Sequence, residues 1–184
     1  IFTSDNGGLL GPTDNTPLRS GKGYAYEGGI RVPFLVRWPG QVAGGTESSQ
    51  PVSSVDVLPT IAAAVGVSLP EDQPVDGVSL AGLLKSGGGK RLERDALYWH
   101  FPHYRHRPGP YSIIRAGDWK LIKWYEGGHE LYNLAEDLSE RHDRATELSD
   151  KAAQLEARLM AELKRVDAKL PRPNPNYRPK PQPK

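Results

Sequence analysis

Ile1-Phe2-Thr3-Ser4-Asp5-Asn6-Gly7-Gly8, followed by Gly21-Lys22-Gly23 and Glu27-Gly28-Gly29-Ile30-Arg31-Val32-Pro33, is the stretch on which the reading of the chain turns. Ile1-Phe2-Thr3 is short and β-prone, and the carboxylate of Asp5 and the amide oxygen of Asn6 come directly after it. Sheets of α/β proteins place their ligand-binding groups at the carboxyl ends of strands. Taken alone, Asp5-Asn6-Gly7 is an ordinary turn signal, because all three residue types tolerate turn conformations. Behind a strand, the same oxygens suit a hard divalent cation such as calcium or magnesium. Lys22 alone reads as a solvated loop charge. Set between two glycines, which let the backbone pass close to a ligand, its ammonium is free to meet an anion. A metal and a lysine together describe a site for an oxyanion.

Working outward, Ile1 to Ser4 reads as the end of a buried strand, and Asp5 to Tyr26 as a Gly-rich loop without periodicity. A structureless loop of that length is usually functional or disordered, and the clusters it carries favour function. Ile30 to Trp38 is β-prone but contains Pro33, which fits a strand entry or an edge. Ser54 is a candidate N-cap, and Val55, Leu58, Ile61, Ala62 and Val65 recur at helical spacing until Gly66. Pro59 should bend that helix or confine its regular part to the residues after the proline. Ser79 is expected to cap a short helix through Leu84.

After Gly87-Gly88-Gly89 the signal becomes β. Leu97 to Phe101, Tyr111 to Ala116, Trp119 to Tyr125 and Glu130 to Asn133 are short runs rich in aromatic and branched residues. Gly117-Asp118 and Gly127-Gly128 are turn pairs of the kind that join antiparallel neighbours. The expectation is a small antiparallel sheet of about four strands. Leu148, Ala152, Leu155, Leu159 and Leu163 make one stripe of a helix capped by Ser149 and ending near Val166, with its apolar face on the sheet. From Leu170 to Lys184 six prolines forbid a helix and imply an extended basic tail.

Composition sets few limits. The chain has 184 residues, enough for one or two domains, and its 37% hydrophobic content with 20 Gly and 17 Pro implies many turns. Taking the four positive side chains of the tail from the formal net charge of +2 leaves a body of about −2, which points to neither nucleic acid nor membrane. The absence of cysteine excludes disulfides and thiolate zinc sites. No run approaches the ~18 apolar residues of a membrane span.

At the opening clusters the chain resembles the formylglycine-dependent, arylsulfatase-like sulfatases of the alkaline phosphatase superfamily. Trp38-Pro39-Gly40, Ser54-Val55-Asp56-Val57-Leu58-Pro59-Thr60, Asp76-Gly77-Val78-Ser79-Leu80, Gly117-Asp118-Trp119-Lys120-Leu121-Ile122 and Glu130-Leu131-Tyr132-Asn133-Leu134 continue the likeness in the family's order. The resemblance covers about Ile1 to Leu170. It implies an α/β fold: the end of a large mixed sheet over residues 1–89, a small subdomain with an antiparallel sheet and a C-terminal helix over 90–169, and the tail over 170–184. It also implies Asp5 and Asn6 as metal ligands, for Ca2+ rather than Mg2+, and Lys22 as a catalytic residue touching the sulfate group. Periplasmic or secreted location follows from the resemblance alone.

The family's C/S-x-P-x-R motif, whose Cys or Ser becomes formylglycine, does not occur in this chain. The nearest approach, Asn15-Thr16-Pro17-Leu18-Arg19, has an amide at the nucleophile's place. The nucleophile is therefore expected upstream, and the chain on its own is expected to be inactive. The activity implied for the intact protein is hydrolysis of sulfate monoesters, with a sulfated small molecule or carbohydrate as partner. A phosphodiesterase or phosphonate hydrolase of the same superfamily, or a non-catalytic module binding sulfated glycans, are the alternatives.

Tyr98-Trp99-His100-Phe101-Pro102-His103-Tyr104-Arg105-His106-Arg107 gathers aromatics, histidines and arginines. One reading is a specificity loop at a pocket rim, with aromatic faces for sugar or aryl rings and with His100 and His103 as substrate-binding residues. The other is a hairpin whose histidines only make hydrogen bonds. Glu27 and Arg31 are expected to pair and fix their loop, and Asp56 to be a buried anchor or a first-turn acid facing the helix dipole.

Overall fold

A computed structural model describes residues 1–105, 109–172 and 174–177. The two β-prone ends of the opening segment meet: β1 (Phe2–Thr3) pairs antiparallel with β2 (Phe34–Leu35), Phe2 opposite Leu35. Between them lies the expected loop, ending in a single helical turn, α1 (Glu27–Ile30). Within this chain β1 has β2 as its neighbour, and Phe2 is 66% exposed. Pro33 stands at the entry to β2, where a missing N–H costs no ladder bond.

A 3₁₀ turn (Ser54–Asp56) leads into α2 (Val57–Val65), which closes on Gly66 in the left-handed conformation. The cap is Ser53 rather than Ser54: the Ser53 N–H donates to Asp56 Oδ2 at 2.8 Å, and the Asp56 N–H returns to the Ser53 carbonyl at 3.0 Å. Pro59 falls in the first turn of α2, where backbone N–H groups have no helical partner to lose, and the helix runs on. Of the apolar stripe of this helix only Ala62 is buried within the chain; Val55, Leu58, Ile61 and Val65 face outward. Leu58 and Val65 are 58% and 66% exposed, and the buried face is Pro59, Thr60 and Ala62. On that face the Thr60 hydroxyl donates to the Asp56 carbonyl at 2.6 Å and accepts the Leu80 N–H at 2.8 Å. There α2 packs against α3 (Ala81–Lys85). Leu80 is the residue before α3; Ser79 accepts the Ala81 N–H from one position further out than a cap.

The sheet is as expected. β3 (Leu97–Phe101), β4 (Tyr111–Ala116), β5 (Trp119–Trp124) and β6 (His129–Asn133) follow one another in antiparallel order. Gly117, at φ +58°, makes the tight β4–β5 turn at a conformation that L side chains rarely adopt. The register places Leu97, Arg115 and Lys120 in one row, Trp99, Ile113 and Ile122 in the next, and Phe101, Tyr111 and Trp124 in a third. Alternate side chains share a face, so these rows all point to one side.

Both faces are covered. On one side α4 (Ser149–Arg165) lays Ala152, Leu155, Leu159 and Leu163 over Ile114, Leu121 and Leu131. The helix begins after Leu148, whose side chain packs into that core, and Ser149 is its first residue rather than its cap. On the other side the opening loop brings Ala25 and Tyr26 against Ile113, Ile122, Trp124 and Tyr132. Among the described residues no helix is long and apolar enough to cross a membrane. Of the tail, residues 173 and 178–184 lie outside the described part.

Leu159 lies fully buried beneath α4, so Leu159→Ala should cost about 2–5 kcal/mol in urea unfolding of this chain. Leu58→Ala, on the outward face of α2, should change it by no more than about 0.5 kcal/mol. Comparable losses at the two sites would contradict this assignment of faces.

Candidate active site

Backbone bonds bring the three opening clusters together. The Gly7 N–H donates to the Gly29 carbonyl at 3.0 Å and the Lys22 N–H to the Gly8 carbonyl at 2.9 Å. The glycines matter here for close approach more than for unusual dihedrals. A Cβ on Gly7 would lie 1.8 Å from the Gly28 carbonyl oxygen, and one on Gly28 would lie 2.2 Å from that of Ser20. No larger residue fits either place without pushing the loops apart.

The result is a cleft of about 480 Å³ between the opening loop and the sheet. Asp5, Asn6 and Lys22 line it from one side, Trp99 and Phe101 from β3, and Arg105 and Arg115 from beyond β3 and from β4. The side chains of Asp5, Asn6 and Lys22 make no hydrogen bond or ion pair with the described residues. The two oxygens of Asp5 and Asn6 have the chemistry of hard-cation ligands. They fit as two members of a larger set, since calcium takes about six to eight oxygens. Among the described residues no group of three or more His, Cys, Asp or Glu could hold a metal. Asp14, whose Oδ1 accepts the Thr16 N–H at 2.9 Å, is exposed and does not line the cleft.

Glu27 and Arg31 do approach each other, at 3.7 Å, but Arg31 is not the main partner. Glu27 is buried, and Lys120 Nζ donates to its Oε1 at 3.0 Å. The same ammonium stands 2.8 Å from Glu140 Oε1, an ion pair out of line for a hydrogen bond. Glu140 Oε2 in turn accepts the Glu27 N–H at 2.6 Å. Burial pushes the Glu140 carboxyl above its ordinary range, and the Lys120 ammonium and the Glu27 N–H pull against that. Arg19 completes the knot, donating to the Glu140 carbonyl at 2.8 Å and to the Tyr132 hydroxyl at 3.0 Å. Burial lowers the Arg115 guanidinium's pKa, opposed by Glu27, whose carboxylate is 3.9 Å away.

Asp56 is the buried anchor. It accepts a two-pronged contact from Arg94 at 2.7 and 2.8 Å and the Val78 N–H at 2.9 Å, apart from the cleft. Arg94 had no local signal, since its partner lies 38 residues away.

The structure does not bring His100 or His103 to the cleft. Trp99 and Phe101 take that side of β3, so His100 must point to the other. There its Nδ1 is 2.7 Å from Ser112 Oγ and its Nε2 3.2 Å from the Lys169 carbonyl, the hydrogen-bonding role of the second reading. His103 is exposed, with its ring edge-on to Phe101 at 5.2 Å. His106 and Arg107 lie outside the described residues. The segment reaches the cleft through Trp99, Phe101 and Arg105 instead. Strand alternation from Leu97 onward carried that information for Trp99 and Phe101.

Lys120→Met would leave two buried carboxylates without their shared ammonium, and should destabilise the chain by about 3–5 kcal/mol in chemical denaturation. A loss below about 1 kcal/mol would show that Lys120 is not their counter-charge.

The family described as N-sulphoglucosamine sulphohydrolase, C-terminal, matches residues 20–169. A sulfatase of Formosa agariphila is 43% identical over 76% of this chain and 27% of its own length. Among solved structures, Ps i-CgsB in complex with k-i-k-neocarrahexaose superposes with a TM-score of 0.76 at 36% identity, over 92% of this chain and 37% of that one. A protein solved in complex with its substrate D-glucosamine-2-N,6-O-disulfate superposes with a TM-score of 0.66 at 28% identity, over 78% of this chain and 30% of that one. The chain thus spans about a quarter of the length of the curated relative.

Proposed function

Because the chain belongs to the sulfatase family, as a C-terminal region of the N-sulphoglucosamine sulphohydrolase type, we propose that the intact protein hydrolyses sulfate monoesters of a carbohydrate. The observation that carries this reading is the Lys22 ammonium, without a side-chain partner among the described residues, in one cleft with the oxygens of Asp5 and Asn6. Asp5 and Asn6 would be two ligands of a divalent cation, calcium by the size and oxygen character of such sites. When bound, that ion supplies positive charge to the sulfate oxygens.

Lys22 holds a sulfate oxygen from the protein side and faces the bridging oxygen as negative charge builds on it during S–O cleavage. A cation fixed in advance where charge develops is among the larger catalytic effects open to a protein. The backbone bond from Lys22 to Gly8 and the Glu27–Lys120 contact hold the loop still, so little reorganisation is needed at the reacting moment. The nucleophile is not among these residues, since the chain has no cysteine and no Ser-x-Pro-x-Arg. A carbohydrate substrate is supported by the saccharides bound to the two solved relatives and by Trp99 and Phe101 in the cleft wall, flat surfaces on which a sugar can rest.

In the intact protein, Lys22→Ala should lower turnover of p-nitrophenyl sulfate by about 100-fold or more. Its thermal midpoint should stay within about 2 °C, because Lys22 makes no side-chain bond to the described residues. Parallel losses of activity and stability, or faster turnover of a phenyl phosphonate than of the sulfate ester, would overturn the assignment.

A further inference from the structure

The cleft carries more positive charge than one sulfate monoester can use. Its described lining holds Lys22, Arg31, Arg105 and Arg115 against Asp5 and Glu27. Glu27 is already engaged by Lys120 at 3.0 Å, and Arg31 and Arg115 stand off at 3.7 and 3.9 Å. A divalent ion on Asp5 would raise the surplus further. The scissile sulfate ester brings a single negative charge, and Lys22 meets it. Arg31 and Arg115 share what charge Lys120, itself divided between Glu27 and Glu140, leaves on Glu27; Arg105, with no carboxylate partner among the described residues, remains.

The placement of Arg115 and Arg105 is ordered by the sheet. Arg115 lies opposite Leu97, at the start of β3; its side chain is only 20% exposed and its buried Nε makes no hydrogen bond among the described residues. Arg105 follows the other end of β3, lines the same cleft as Tyr111, which stands opposite Phe101, and makes no bond to the described residues. Between these ends Trp99 and Phe101 line the wall. Leu97 to Phe101 spans roughly 13 Å of strand, longer than one pyranose ring. A guanidinium presents a planar fork suited to carboxylate and sulfate oxygens alike, and a low-dielectric wall strengthens its pull.

We propose that the β3 wall is a second anion subsite: Arg105 binds an oxyanion of the saccharide other than the sulfate held at Lys22, and Trp99 and Phe101 in the same wall give a sugar ring a flat surface to rest on. This rests on the sulfatase reading of the cleft and narrows its substrate to saccharides with at least two anionic groups. Arg115 sets the positive potential of the wall's inner end. Asp5 and Glu27 are the carboxylates facing the cleft, and neither is left free to neutralise Arg105 once a cation has taken Asp5 and Lys120, Arg31 and Arg115 have taken Glu27.

The test is calorimetric titration of the intact protein with three forms of one disaccharide: monosulfated, disulfated, and monosulfated with a uronate as the second sugar. The wild type should bind at least one dianionic form about tenfold or more tightly than the monosulfated form. Arg105→Ala should abolish most of that preference, and Arg105→Lys should restore part of it. A preference for only one dianion identifies the second group as sulfate or carboxylate. No preference in the wild type, or a preference that persists in Arg105→Ala, would overturn the proposal. Sulfate release from p-nitrophenyl sulfate by the same preparation reads the hydrolase assignment separately, so failure of one leaves the other measured.

Discussion

The Lys120 ammonium, buried between the carboxylates of Glu27 and Glu140, is the contact on which the arrangement of the cleft depends. It comes from the middle of the sheet, while Glu27 opens the single helical turn that follows the Lys22 loop. Three charges removed from water are costly, and they persist only because each meets an opposite charge or a backbone N–H. The Glu27 N–H on Glu140 closes the circuit with a bond that tolerates little displacement. Arg19 then ties the same loop to Tyr132 and to the Glu140 backbone. Electrostatics thus hold the loop that lines the cleft against a sheet whose strands are held by burial.

The sheet divides the labour between its faces. One face is covered by α4 with leucines at helical spacing, an apolar contact of the ordinary kind. The other is mixed: aromatic rows pack against Ala25 and Tyr26 near β5 and β6, and the same rows stand open to the cleft near β3. The side bearing α4 is closed by apolar packing, and the side bearing the opening loop presents the charged groups of the cleft. Such groups commonly sit on loops braced by a regular scaffold.

Thr60 is a polar residue on the inner side of a helix whose apolar stripe is mostly outward within this chain. The stripe through Val55, Leu58, Ile61 and Val65 has helical spacing, and α2 exists where that spacing places it. On its inner side the hydroxyl of Thr60 joins Asp56 to Leu80, and within this chain all of the stripe but Ala62 lies outward. Periodicity finds a helix; it does not by itself choose its inner face.

The four strands, their turns, α4 and the grouping of Asp5, Asn6 and Lys22 were legible in the order of residues, because alternation, helical spacing, glycine turns and local clusters are short-range properties. So was the family, through motifs spread along the chain. Which side chains of β3 reach the cleft was half legible: alternation separates Trp99 and Phe101 from His100, but only packing tells which set faces the loop and which faces α4. The pairings of Lys120 with Glu27, Glu27 with Glu140, and Asp56 with Arg94 were not legible, since the partners lie 93, 113 and 38 residues apart. Short-range patterns in the chain were enough to set the elements and to bring Asp5, Asn6 and Lys22 into one local segment. The tertiary structure decided which charges are buried together and which arginines are left facing the cleft, because those depend on contacts between segments that no local pattern relates.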